Sequence, residues 1–152
     1  MARTYLVVID DSPEARTALR FAARRAAKTG GAVEVLAIVP PQDFVQWGGV
    51  QAAIEEEQRL RIEASVTAHV GEIVDAAGIK PVIVVEAGEP VAVVRSYVGT
   101  RTDIAALVLA AAPAGDPGPV VTNFTGHDAG KLPCIVMIIP GSLDDEQLEQ
   151  LS

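Results

Sequence analysis

Asp10-Asp11-Ser12 places two carboxylates and a hydroxyl directly after an aliphatic run. Adjacent acids can hold a metal or share acid–base work, but the second task needs a His or Lys partner, and none stands beside them. Acids at a strand-to-helix junction more commonly cap the helix and face water. Ser12 lacks the Gly-x-Ser-x-Gly elbow of an exposed nucleophile, and Pro13 follows it. Ser12 therefore reads as an N-cap with Pro13 at the first helical position. His127 has Asp128 beside it and reads as a solvated loop histidine, while His69 reads as a boundary residue beside an apolar stripe. Cys134 is the single cysteine, so there is no internal disulfide and no Cys/His metal set. It is expected inside the last strand as a small hydrophobe, since redox sensing needs exposure and a lowered pKa. No catalytic set emerges, and the chain reads as a binding or regulatory protein rather than an enzyme.

The elements that position these residues follow from the hydrophobic pattern. Tyr5 to Ile9 is a continuous aliphatic run, as in a strand buried on both faces of a parallel sheet. Ala15, Ala18, Leu19, Ala22 and Ala26 share one helical face, with Arg16, Arg20 and Arg24 outside it, and Gly30-Gly31 ends that helix. Val33–Val39 predicts a second strand. Pro40 to Val50 predicts a loop whose Phe44 and Trp47 could cover a site, pack on a partner copy, or simply pack the loop. From Gln51 to Ala77, the stripe Ile62, Val66, Val70, Ile73 and Ala77 predicts a helix. Val82–Val85 predicts a third strand, Pro90–Gly99 a helix and Ile104–Ala111 a fourth strand. Ala112 to Val121 reads as a loop, Thr122 to Lys131 as a weak helix interrupted by Gly126 and Gly130, and Cys134–Ile139 as a fifth strand. The pattern implies an α/β domain over 1–140, with a doubly wound parallel sheet, and an acidic tail over 141–152. That tail is either a terminal helical turn or disordered.

Bulk properties narrow the function. The chain has 152 residues, enough to bury a core without disulfides or metals. A formal net charge of −8 argues against nucleic acid and against anionic membrane surfaces. No leader peptide and no apolar run long enough to span a membrane stand out, so a cytoplasmic location is expected. In open α/β sheets, ligands bind beyond the carboxyl ends of the strands. The candidate positions are thus Asp10 to Ser12, Ile38 to Pro40, Ala87 to Glu89, and Ala111 to Gly118.

Three motifs then fall on the elements just described. They are Val7-Val8-Ile9-Asp10-Asp11-Ser12, Gly88-Glu89-Pro90 after the third strand, and Leu132-Pro133-Cys134-Ile135-Val136-Met137-Ile138-Ile139 at the end. In this order they resemble the universal stress protein family from Tyr5 to Ile139. The resemblance implies a five-stranded parallel sheet in the order 3-2-1-4-5, of the adenine nucleotide alpha hydrolase-like type. It also implies a role in stress tolerance and a homodimer paired through the last strand, where aliphatic edge residues carry no charge to discourage pairing. Some members bind ATP through Gly-x-x-Gly-x₉-Gly-(Ser/Thr) after the fourth strand. Here the first two glycine positions are Ala111 and Ala114, and nine residues further on stands Phe124-Thr125. Counting back from Pro133 gives Thr122-Asn123, and starting from Gly115-Asp116-Pro117-Gly118 leads to Asp128. No register restores the motif, and Pro113, Pro117 and Pro119 offer no N–H to a phosphate. The base end matches better, with Asp10 as the acid beside the base and Ile38 as an apolar wall. The resemblance thus yields a candidate set of Asp10, Ile38, Ala111, Gly115, Gly118, Thr122, Asn123 and Thr125. It implies either no cofactor and a module that is not a conventional ATP binder, or an ATP, ADP or AMP binder with little or no hydrolysis.

Overall fold

The computed structural model describes residues 3–10, 12–41 and 48–152. Five strands, β1 (Thr4–Ile9), β2 (Ala32–Val39), β3 (Val82–Ala87), β4 (Ile104–Ala111) and β5 (Ile135–Pro140), form one sheet in the order β3-β2-β1-β4-β5. Every pairing is parallel, with Val7 opposite both Val35 and Val108. The central strands β1, β2 and β4 are buried on both faces, which is why they read as unbroken aliphatic runs. The edge strands β3 and β5 are half exposed.

Alternate residues of each strand feed two cores. Tyr5, Val7 and Ile9 join Val35 and Val108 beneath α1 (Ala15–Thr29) and α2 (Gly48–Ala77). Leu6, Val8, Leu36, Ile38, Leu107 and Leu109 face α3 (Pro90–Gly99) and α4 (Pro119–Thr125). The small side chains Ala15, Ala18, Ala22 and Ala26 on α1 are buried, and Ile62, Val66 and Ile73 of the expected α2 stripe are buried too.

The expected boundaries shift at several places. The helix α1 starts at Ala15, with Glu14 rather than Ser12 at the cap position. The Ser12 amide and hydroxyl turn back to Asp10 Oδ1 instead, and the Ala15 amide closes a turn on the Ser12 carbonyl at 3.3 Å. Asx turns of this kind compete directly with helix capping. The helix α2 begins at Gly48, ahead of the expected Gln51. The helix α4 occupies part of the expected loop, because Pro119 presets its first turn and Val121 and Phe124, three apart, are both buried. Residues 145–151 form a fifth helix, α5 (Asp145–Leu151), rather than a disordered tail. Asp11, Phe44 and Trp47 lie outside the described residues.

Candidate functional site

A cleft of about 150 Å³ opens at the carboxyl ends of β1, β2 and β4. Val8, Ile38 and Leu109 form its floor, and Asp10 and Ser12 supply polar groups. Pro40 and Pro90 contribute from two strand-to-helix turns, and Pro117, Gly118 and Pro119 from the loop before α4. An apolar cavity of roughly this size holds one aromatic ring. The first turn of α3 beside it is fixed by Glu89, whose carboxylate accepts from the Val91 and Ala92 amides at 3.1 and 2.8 Å.

Asp10 is oriented by its neighbour. The Ser12 amide donates to Oδ1 at 2.9 Å, and the Ser12 hydroxyl donates to the same oxygen. Oδ2 is left without a partner among the described residues, so it can accept from the N–H edge of a ligand.

The loop before α4 is built differently from a phosphate cradle. The Gly118 N–H, at the cap position of α4, donates to Asp116 Oδ1 at 2.8 Å. Gly118 holds φ at +105°, a conformation that L side chains rarely adopt. A carboxylate of the protein therefore engages this amide, and the flanking Pro117 and Pro119 have no N–H to offer.

Asp10, Ile38 and Gly118 line the cleft, whereas Ala111, Gly115, Thr122, Asn123 and Thr125 do not form part of its wall. Thr122 is exposed. The Asn123 amide donates to Asp128 Oδ2 at 2.7 Å, and the Thr125 hydroxyl donates to the Val121 carbonyl at 2.7 Å. Asp128 also takes Arg95 through Nε at 2.9 Å, and these bonds from Asn123 and Arg95 hold its carboxyl below the usual range. Asp128 thus ties α4 to α3. His127 is exposed and 4.0 Å from Asp128 Oδ1. Cys134 is half-buried against the α3–α4 core, and burial pushes its thiol up, away from the reactive thiolate. Ile62 of α2 also reaches the cleft; the sequence pattern marked it as core, and only the long crossover of α2 brings it there.

A second polar cluster lies at the amino ends of the strands. Arg101 pairs with Glu34 at 2.8 Å and with both oxygens of Asp103, at 2.8 Å from Nε and 2.7 Å from Nη2. The Tyr97 hydroxyl donates to Glu34, and the Arg101 guanidinium stacks 5.5 Å from the Tyr97 ring centre. The bonds from Arg101 hold Asp103 at about 2. Burial raises Tyr97 to about 12, aided by Glu34. Burial alone would raise Glu34, but the bonds from Arg101 and Tyr97 outweigh it and its pKa is lowered. These groups satisfy one another.

Among the described residues there is no metal-holding group of His, Cys, Asp or Glu, and no helix is long and apolar enough to cross a membrane. The model of the universal stress protein family matches residues 1–140. The chain belongs to that family. No curated protein matches it in sequence. Its fold is shared with solved universal stress proteins. UspA of Lactobacillus plantarum is 18% identical, with a TM-score of 0.75, over 90% of this chain and 97% of that one. A universal stress protein of Archaeoglobus fulgidus is 19% identical, with a TM-score of 0.61, over 91% and 94%. A universal stress protein in complex with cAMP is 20% identical, with a TM-score of 0.57, over 92% and 98%. In this universal stress protein the strand order is the one the family resemblance implies.

Proposed function

We propose that this universal stress protein is a cytoplasmic binding or regulatory module that is not a conventional ATP binder and catalyses no reaction. Its cleft takes a small, uncharged planar ligand, such as a base or nucleoside, seated on Val8, Ile38 and Leu109 with an N–H donated to Asp10. The observation that carries this reading is the Asp116 carboxylate on the Gly118 amide at 2.8 Å. An anionic phosphate brought there meets a like charge and a donor already engaged.

A second reading keeps adenine nucleotides as ligands with little or no hydrolysis. The Asp10 side of the cleft favours it, and so does the relative solved with cAMP. The two readings separate on the small molecules released from protein purified out of cells and weighed by mass spectrometry. The first predicts no adenine nucleotide. Stoichiometric ATP, ADP or AMP would establish the second.

The module also works as a homodimer paired through β5 on this reading. Ile135 on that edge strand is 60% exposed, and the strand carries no charge. Light scattering at micromolar concentration should return twice the chain mass; a monomer would refute the pairing.

A further inference from the structure

Arg16, Arg20, Arg24 and Lys28 recur at intervals of four along α1 and so share one ridge. Like charges at that spacing destabilise a lone helix, so the ridge needs acids from elsewhere. The helix α2 supplies Glu72, 2.8 Å from Arg16 and 3.0 Å from Arg20. The helix α5 supplies the rest. Asp145 pairs with Arg20, and Glu149 pairs with Arg24 at 3.3 Å and Lys28 at 3.4 Å. Three residues after Asp145, Leu148 is 1% exposed in the core that also holds Ile139 and Met137 of β5. On that half of the sheet face α1 packs against β4, β5 and α5.

The family match ends at residue 140, so α5 lies beyond it. A helix of 7 residues does not hold its shape alone in water. It relies on the reciprocal Asp144–Gln147 cap, on Leu148, and on solvent-exposed ion pairs that are individually weak. The chain is anchored just before α5, at Gly141. There a Cβ would sit 2.7 Å from the Ala111 oxygen, and the Gly141 amide bonds that same oxygen at 2.8 Å. The fit in cis is also incomplete. Arg25 donates to the Ser152 oxygen at 3.1 Å, yet its buried Nε has no acceptor among the described residues.

We propose that the α1 ridge, with the slot that Leu148 fills, is a docking surface for an acidic, leucine-anchored helix of a partner protein. The helix α5 covers this surface in cis as a competing pseudo-ligand. The charge distribution selects the partner's chemistry. The chain carries a net −8, so an acidic segment is repelled elsewhere, and this ridge gathers a row of its cations. The pattern to be recognised is an acid, a leucine three residues on, and an acid four residues on, as in Asp145, Leu148 and Glu149. A cis competitor lowers the apparent affinity by the fraction of open molecules, so opening α5 must tighten binding.

The test is fluorescence anisotropy of a labelled peptide with the sequence of residues 141–152, titrated with full-length chain. The double variant Asp145→Lys/Glu149→Lys repels its own α5 at two exposed positions. It should bind the peptide at least about tenfold more tightly than the wild type, and added salt should weaken that binding. Leu148→Ala, which removes the anchor instead, should rank the same way. Adding Arg20→Glu/Arg24→Glu to the double variant should abolish binding. Equal affinity for wild type and opened variants, or no binding to any of them, would overturn the proposal. So would a wild-type dimer that the double variant abolishes, since exchange of α5 between two copies would then explain the surface.

Discussion

The two ends of one sheet handle polar groups in opposite ways. At the amino ends, Glu34, Tyr97, Arg101 and Asp103 close a network in which each charge meets an opposite charge or a donor. At the carboxyl ends, Asp10 is held only by Ser12 among the described residues and stands over an apolar cleft. Saturated polar groups stabilise and leave nothing for a ligand. Open ones beside a cavity cost some stability and make a site. The β4–α4 loop lies between these extremes: it is at the site end, yet Asp116 has already satisfied its amide.

The largest effect expected from this contrast is at the amino end. Arg101→Met strands Glu34 and Asp103 together. Asp103 is exposed, so the loss should come from the largely buried Glu34, and it should fall between that of an exposed pair and that of a buried one, at about 2 kcal/mol by urea unfolding. A change below about 0.5 kcal/mol would mean the network is decorative. The pH dependence follows with its sign. Asp103 sits at about 2 against an ordinary 3.8, so its contribution is full above about pH 4 and is lost as pH falls towards 2. Tyr97 is raised from 10.0 to about 12, so its contribution is present below pH 10 and is lost as pH rises through 12. Unfolding followed across both limits should steepen in these windows, and Arg101→Met should flatten the acid one.

The carboxyl end should respond in ligand binding rather than stability. Asp116→Ala removes the internal carboxylate; it should leave stability within about 0.5 kcal/mol while narrowing the preference for adenosine over AMP. An unchanged preference would place the discrimination elsewhere. The smallest effect belongs to Asp10→Asn. It keeps the Ser12 bonds and should leave unfolding unchanged within about 0.5 kcal/mol, while the ligand-induced rise in melting temperature disappears.

Much of the fold was legible because the central strands are buried twice over. Val7-Val8-Ile9 and Leu107-Val108-Leu109 needed no alternation to be read as strands. Element edges were less legible where side chains bond locally. Ser12 resembled a cap, and only its pairing with Asp10 shows that the turn won. The helix α4 was hidden because Gly126 and the prolines dominate its local propensity, while burial of Phe124, a long-range effect, decides it. The acidic tail over 141–152 read as either a terminal helical turn or a disordered segment; its pairing depends on α1 cations more than a hundred residues earlier, which no local pattern reports. At the site, Asp10 and Ile38 were legible from the strand-end rule. Thr122, Asn123 and Thr125 were named from spacing, but the helical turn directs the Asn123 and Thr125 side chains to partners of their own.

Calorimetric titration of wild-type protein with ATP and with adenosine, under identical conditions, tests the central claim most directly. Heat of binding for adenosine and none for ATP is the predicted result. Saturable ATP binding at least as tight as that of adenosine would contradict it, and would mean that the loop around Asp116 opens to accept phosphate.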